Sequence, residues 1–242
     1  MKITIGHLYP DLLNLYGDRG NIQCLKMRLL WRGFETEVLR FGIDDPVDFT
    51  KLDIVLLGGG SDREQMIVCR KLMTIQKEFQ AYVEDGGVTL AVCGGYQLLG
   101  HYYNTPEGKM EGLHLVDLTT EQGSPRLISN IILDCEGLPY PVAGFENHGG
   151  RTHLGEGVKP FGRVLYGNGN NGKDGQEGAV YRNVLGTYLH GPLLPKNPHV
   201  CDDLLSRALA RRGYDGPLEK LDDHEEREAN DVIVKRFLKS KS

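Results

Sequence analysis

Short apolar runs that stop at glycine recur through the first half of the chain, and no other feature restricts its fold as much. Ile54-Val55-Leu56-Leu57 contains no polar residue and ends at Gly58-Gly59-Gly60. Val88 to Val92 is apolar but for Thr89 and ends at Cys93-Gly94-Gly95. A strand without inside–outside alternation is buried on both faces, so its sheet needs covering layers on either side. Helical segments can supply them. Gly20 to Arg32 carries Ile22, Leu25, Met27, Leu29 and Leu30 at helical spacing, and Met66 to Glu84 reads as a helix closed by Gly86-Gly87. Lys2 to Gly6 and Glu35 to Phe41 read as further strands, and Gly94-Gly95 opens a helix through Leu99. This alternation indicates an α/β chain: a doubly wound, mainly parallel, flavodoxin-like sheet flanked by helices.

The second half has a different texture. Leu113 to Asp117, Asn130 to Leu133, Val142 to Glu146, Gly162 to Tyr166, Ala179 to Arg182 and Val184 to Tyr188 are short strand candidates between turns. They add antiparallel strands to the main sheet. Gly167 to Gly175 alternates Gly with Asn and Asp, the chemistry of a loop that uses positive φ. Asp202 to Arg212 and Glu225 to Lys239 read as terminal helices. No repeat and no compositional break marks a linker, so residues 1–242 read as a single domain.

Composition excludes several functions. The formal net charge of -5 does not provide a broad nucleic-acid surface. No stretch approaches the ~20 apolar residues of a membrane span, and Met1 to Gly6 lacks a signal-peptide core, so a cytoplasmic chain without membrane insertion is expected. The five cysteines are widely spaced with no CxxC pair, which supports neither a disulfide framework nor a metal site. The basic stretch from Lys235 to Lys241 reads as a solvated helical tail.

One cysteine stands apart. Cys93 ends a strand and begins a helix, with Ala91, Gly94 and Gly95 providing the small neighbours that a tight nucleophile elbow needs. The helix N-terminus offers free N–H groups and positive potential, which favour a reactive thiolate. The Gly94 N–H is placed to face an oxyanion, and Gly59 or Gly60, at the same sheet edge, would complete the hole. His190 stands at the tip of a second strand-to-turn segment, where a lone histidine is more often structural than a base.

Together these residues resemble class I, triad-type glutamine amidotransferases, most closely the cobyric-acid-synthase-like branch. Gly186-Thr187-Tyr188-Leu189-His190-Gly191 matches that branch's GTYLHG, Gly144 to Thr152 is similar to its GYE-x-H-x-GRT, and Ala91 to Gly100 matches its CGGYQ elbow. Tyr16-Gly17-Asp18-Arg19-Gly20-Asn21 and Gly58 to Gln65 look like the glutaminase subunits of lipid II isoglutaminyl synthases. The resemblance implies a class I glutamine amidotransferase fold and hydrolysis of L-glutamine by Cys93 and His190. It further implies delivery of ammonia to a Mur-ligase-like synthetase partner, which would use ATP and Mg²⁺ to amidate the D-glutamate α-carboxylate of lipid II. This chain itself has no GxxxxGK[ST] loop and is expected to need no cofactor. The resemblance also suggests Arg126, in a loop after the elbow helix, as partner of the substrate carboxylate. Gln97, one helical turn past Cys93, either touches substrate or caps the pocket. His148 reads as structural.

The sequence departs from the family at Pro192, where many triad enzymes place the glutamate that orients the histidine. Either another acidic residue reaches His190 through space, or the partner supplies one. Asp18-Arg19, beyond the first strand, would form partner surface or simply pack. A cobalamin-type amidotransferase subunit, a non-catalytic regulatory homologue and a different Cys-His hydrolase remain as alternatives.

Overall fold

A computed structural model describes residues 1–14, 17–105 and 108–238. In chain order its elements are β1 (Lys2–Leu8), α1 (Arg19–Trp31), β2 (Glu35–Phe41), β3 (Ile54–Leu57), α2 (Asp62–Met73), α3 (Gln76–Glu84), β4 (Val88–Val92) and α4 (Gly94–Leu98). The second half continues with β5 (Tyr102–Thr105), β6 (Gly108–Glu111), β7 (Leu118–Asp134), β8 (Val142–Leu154), β9 (Gly162–Tyr166) and β10 (Gln176–Glu177). It ends with β11 (Ala179–Tyr181), β12 (Val184–Thr187), α5 (Leu193–Lys196), α6 (Pro198–Arg211) and α7 (His224–Leu238).

The main sheet has the order β11-β12-β4-β3-β1-β2. It is parallel from β12 to β2, and β11 closes the edge antiparallel. Every residue of β3 and β4 is buried, as expected for strands that are apolar throughout but for Thr89. Each such leucine, isoleucine or valine contributes roughly 1.5–3 kcal/mol on burial. The register pairs Leu57 with Ala91 and Thr187 with Val92, so β3, β4 and β12 end at one edge. The α/β class with a mainly parallel, helix-flanked sheet is therefore the fold.

Of the expected second-half strands β11 joins the main sheet antiparallel and β12 joins it parallel, while the others form a second sheet, β10-β9-β7-β5-β6 with β8 on β7. Asn130 to Leu133 and Val142 to Glu146 are only the ends of a long β7–β8 ladder. That ladder breaks register between Gln122 and Leu127, at Gly123-Ser124-Pro125-Arg126. Arg126 thus lies within β7, at its irregular point, and not in a free loop. Leu113 to Asp117 is not a strand: its N–H groups turn back onto Leu98 and Leu99 carbonyls instead of pairing along a ladder.

The expected helix from Met66 to Glu84 is two helices. Thr74 and Ile75 close tight turns onto Lys71 and Leu72, and the Thr74 hydroxyl donates to Lys71 O at 2.7 Å, which stops α2. Its start was legible: Ser61 and Glu64 form a reciprocal capping box. Likewise α6 begins at Pro198, suited to a first helical turn, before the expected Asp202. Tyr16 of the first motif and the end of the basic tail, from Lys239 on, lie outside the described residues.

Candidate active site

Cys93 occupies the bend between β4 and α4 with φ 51° and ψ -107°. Left-handed backbone of this kind costs a residue with a Cβ roughly 1–3 kcal/mol and persists only where its surroundings enforce it. They do so here. The Cys93 N–H donates to Thr187 O (2.8 Å), and the Cys93 carbonyl accepts from Gln97 N–H (3.0 Å). Gly95 N–H donates to Gly58 O (3.0 Å), and a Cβ at Gly95 would run into the Leu57 carbonyl. Only glycine lets α4 approach the β3 loop this closely. Cys93 is buried but keeps 7% of its surface open.

The second glycine loop touches both candidate catalytic side chains. A Cβ at Gly59 would stand 3.1 Å from Cys93 Cβ and 3.5 Å from His190 Cε1. His190 lies just past β12, where its N–H donates to Phe145 O of β8 (2.8 Å). Its ring is fully buried. Burial alone would push the imidazole down. The neighbouring Asp18 carboxylate and Cys93 outweigh burial and raise His190 to about 9.

Asp18 brings a carboxylate close to His190, as Pro192 cannot. Its Oδ1 is 3.8 Å from His190 Nδ1, both side chains being fully buried. Its Oδ2 accepts from Gly59 N–H at 2.8 Å, which ties the first loop to the second. Asp18 reaches this point because it precedes α1, and α1 packs tightly on α5. A Cβ at Gly20 would collide with the Pro192 ring, and Asn21 Oδ1 accepts from Leu194 N–H (2.9 Å). Sequence reasoning placed Asp18 at this sheet edge but gave it no catalytic part. The available signal was a carboxylate just beyond the first strand of a doubly wound sheet, where strand ends converge.

Gln97 on α4 meets the second sheet, which carries Arg126 on β7. Gln97 is buried and donates to the Tyr188 hydroxyl (3.1 Å), which in turn shares a 2.6 Å bond with Thr152. Arg126 donates to Asn147 through Nε and Nη2, both at 3.0 Å. Gly149 and Gly150 link the two: a Cβ at Gly149 would stand 3.5 Å from Arg126 Nη1, and one at Gly150 would strike Gln97. Tyr103 lies at the same place. Its hydroxyl donates to Gln122 (2.6 Å), and burial, then the nearby charges of Asp62 and Cys93, raise it to about 12, opposed by Arg126 and Arg151. His148 stacks flat on Tyr188 with ring centroids 3.6 Å apart, in keeping with a structural part.

Beneath β12, Glu177 accepts from Tyr188 N–H (2.7 Å) and from the Thr187 hydroxyl. Burial raises this carboxyl to about 8, and the bonds from Tyr188 and Thr187 oppose the rise. Among the described residues no cluster of His, Cys, Asp and Glu is arranged to hold a metal, and no helix is long and apolar enough to cross a membrane.

A strained cysteine at a strand–helix elbow, a buried imidazole on the adjoining strand and glycine loops around both define a site of the class I glutaminase type. The solved structure of PurLQS from Thermotoga maritima shares the fold, with a TM-score of 0.57 at 17% identity over 87% of this chain and 99% of that one. Residues 4–198 match the CobB/CobQ-like glutamine amidotransferase domain, and the chain belongs to that family. It is 41% identical to the GatD subunit of lipid II isoglutaminyl synthase (glutamine-hydrolyzing) from Staphylococcus aureus, over 99% of this chain and 98% of that protein. A cobyric acid synthase from Listeria innocua is 29% identical over 75% of this chain, which spans only 37% of that longer protein.

Proposed function

We propose that this chain is the glutaminase subunit of a cytoplasmic lipid II isoglutaminyl synthase. Its near end-to-end similarity to GatD supports that reading over the cobalamin branch, whose Listeria innocua member is much longer. The observation that carries the chemistry is Cys93, held at a positive-φ elbow against the same Gly59 loop that borders the buried His190, with Asp18 on the far side of the ring.

In this mechanism the thiol proton rests on His190, and the Cys93 sulfur attacks the side-chain amide carbon of L-glutamine. The C–N bond breaks as His190 returns its proton to the leaving nitrogen, giving ammonia and a γ-glutamyl thioester. Water, deprotonated by His190, then cleaves the thioester to glutamate. Because Gly59 N–H is engaged by Asp18, the oxyanion falls to the N–H groups of Gly60 and Gly94. Such donors contribute roughly 3 kcal/mol each. Gly59 supplies the close approach that keeps Cys93 and His190 together. Asp18 orients the imidazole and stabilises its charged form. Arg126 pairs with the substrate α-carboxylate, and Gln97 supports the pocket floor through Tyr188.

Ammonia passes to a Mur-ligase-like synthetase of the MurT type, where ATP and Mg²⁺ activate the D-glutamate α-carboxylate. Bulk water would protonate ammonia to non-nucleophilic ammonium, so release and capture must be coupled in a heterodimer. The test is incubation of the chain, alone and with a Mur-ligase-like partner, with 6-diazo-5-oxo-L-norleucine, followed by mass spectrometry. An adduct on Cys93 and co-purification with that partner are expected. An adduct on Cys69 or Cys201 instead would end the catalytic assignment.

A further inference from the structure

Gln65 lies between the two glycine loops of the site, and no step above uses it. It stands near the start of α2, where the Ser61–Glu64 capping box holds the helix end. Its side chain folds back over the loop, with Nε2 donating to Gly60 O at 3.1 Å. The amide packs so closely on Gly94 that a Cβ there would stand 2.6 to 2.8 Å from Nε2, Cδ and Cγ. Gln65 is only 3% exposed, and its Oε1 is buried with no hydrogen-bond partner among the described residues. Gly60 O can only accept, so the nitrogen must face it and Oε1 must turn away. A buried carbonyl oxygen left without a donor is costly and marks a place built for one.

Gly60 and Gly94, the two residues Gln65 bridges, are also the proposed oxyanion donors. A substrate carbonyl held between them would carry its amide nitrogen on the same carbon, next to the side chain that bridges them. We propose that Gln65 is a specificity residue for the carboxamide, its Oε1 accepting a hydrogen bond from the N–H of the scissile amide. The inference rests on the glutaminase reading above. The bond strengthens as the nitrogen takes the His190 proton and becomes ammonium-like, since charge on the donor shortens and strengthens it. It also disfavours glutamate, whose carboxylate oxygen would set lone pair against lone pair. Product would then leave instead of blocking the site.

The test compares glutamine with glutamate γ-methyl ester, which offers the same carbonyl but no N–H. The full chain with its synthetase subunit would be assayed as wild type, Gln65→Met and Gln65→Leu. For the variants kcat/KM on glutamine is expected to fall about tenfold, and on the ester less than about threefold. Inhibition by glutamate should tighten. Alkylation of Cys93 by 6-diazo-5-oxo-L-norleucine, which has no amide, should keep its wild-type rate and so show an intact site. Equal losses on both substrates, no loss on glutamine, or slowed alkylation would assign Gln65 a merely structural part and overturn the proposal. A wild-type protein that neither hydrolyses glutamine nor forms the Cys93 adduct would overturn the glutaminase reading itself, and this inference with it.

Discussion

Asp18→Asn isolates the charge behind His190 with little change of shape. An asparagine can still accept the Gly59 N–H bond through its remaining oxygen, so the contact between loops survives. The negative charge is lost. Across 3.8 Å that charge is worth roughly 4 kcal/mol at an effective dielectric of 20. The rise of His190 from 6.5 to about 9 corresponds to roughly 3 kcal/mol, shared between Asp18 and Cys93 and net of the opposing burial. Because the folded protein raises this pKa, the ion-pair stabilisation is complete below about 6.5 and is lost as pH rises through about 9. The wild-type kcat/KM for glutamine should therefore fall on an alkaline limb near pH 9. Asp18→Asn should move that limb down by a unit or more, toward or below the ordinary histidine value. At pH 7.5 it should also cost roughly 10²-fold or more in kcat, as loss of an orienting carboxylate does elsewhere. The assay is a pH profile of glutamate release, with thermal melting to confirm the fold. A variant with wild-type kcat and an unmoved alkaline limb would refute the reasoning and hand the orienting group to the partner.

Arg126→Ala should raise KM for glutamine roughly tenfold with little change in kcat, since a charged hydrogen-bonding partner of the carboxylate is lost; steady-state kinetics read this directly. Gly95→Ala should destabilise the fold by about 2–3 kcal/mol, because its Cβ meets the rigid Leu57 carbonyl and not a mobile side chain; denaturant unfolding measures it. Glu177→Gln should change the pH dependence of stability. Its raised carboxyl keeps a proton in the fold that the unfolded chain loses, so wild-type stability falls between about pH 4.5 and 8. The variant should show a flatter Tm over that range and a higher Tm than wild type at pH 8.

The local chemistry of the site was legible in the chain because each part has a short-range signature. The apolar runs of β3 and β4 announced buried parallel strands, and Ala91, Cys93, Gly94 and Gly95 announced an elbow that tolerates no bulk. The β7–β8 ladder was less legible. Alternation reads strands one at a time, whereas this pair owes its length to mutual pairing across the break at Gln122 and Leu127. That pairing also brought Arg126 onto a strand beside Gly149, where sequence had left it in a loop.

By itself the sequence determined which strands are buried and where the backbone bends at Cys93, since these follow from residue size and apolar pattern within a few positions, while His190 was singled out by its resemblance to the family's GTYLHG. Only the tertiary structure decided what stands behind that histidine. Asp18 meets His190 because α1 packs on α5 through Gly20, Asn21 and Pro192, and Gln65 meets Gly94 because α2 folds back over the β3 loop. Such meetings between distant segments depend on how whole elements pack, and the residues themselves carry no neighbouring pattern that foretells them.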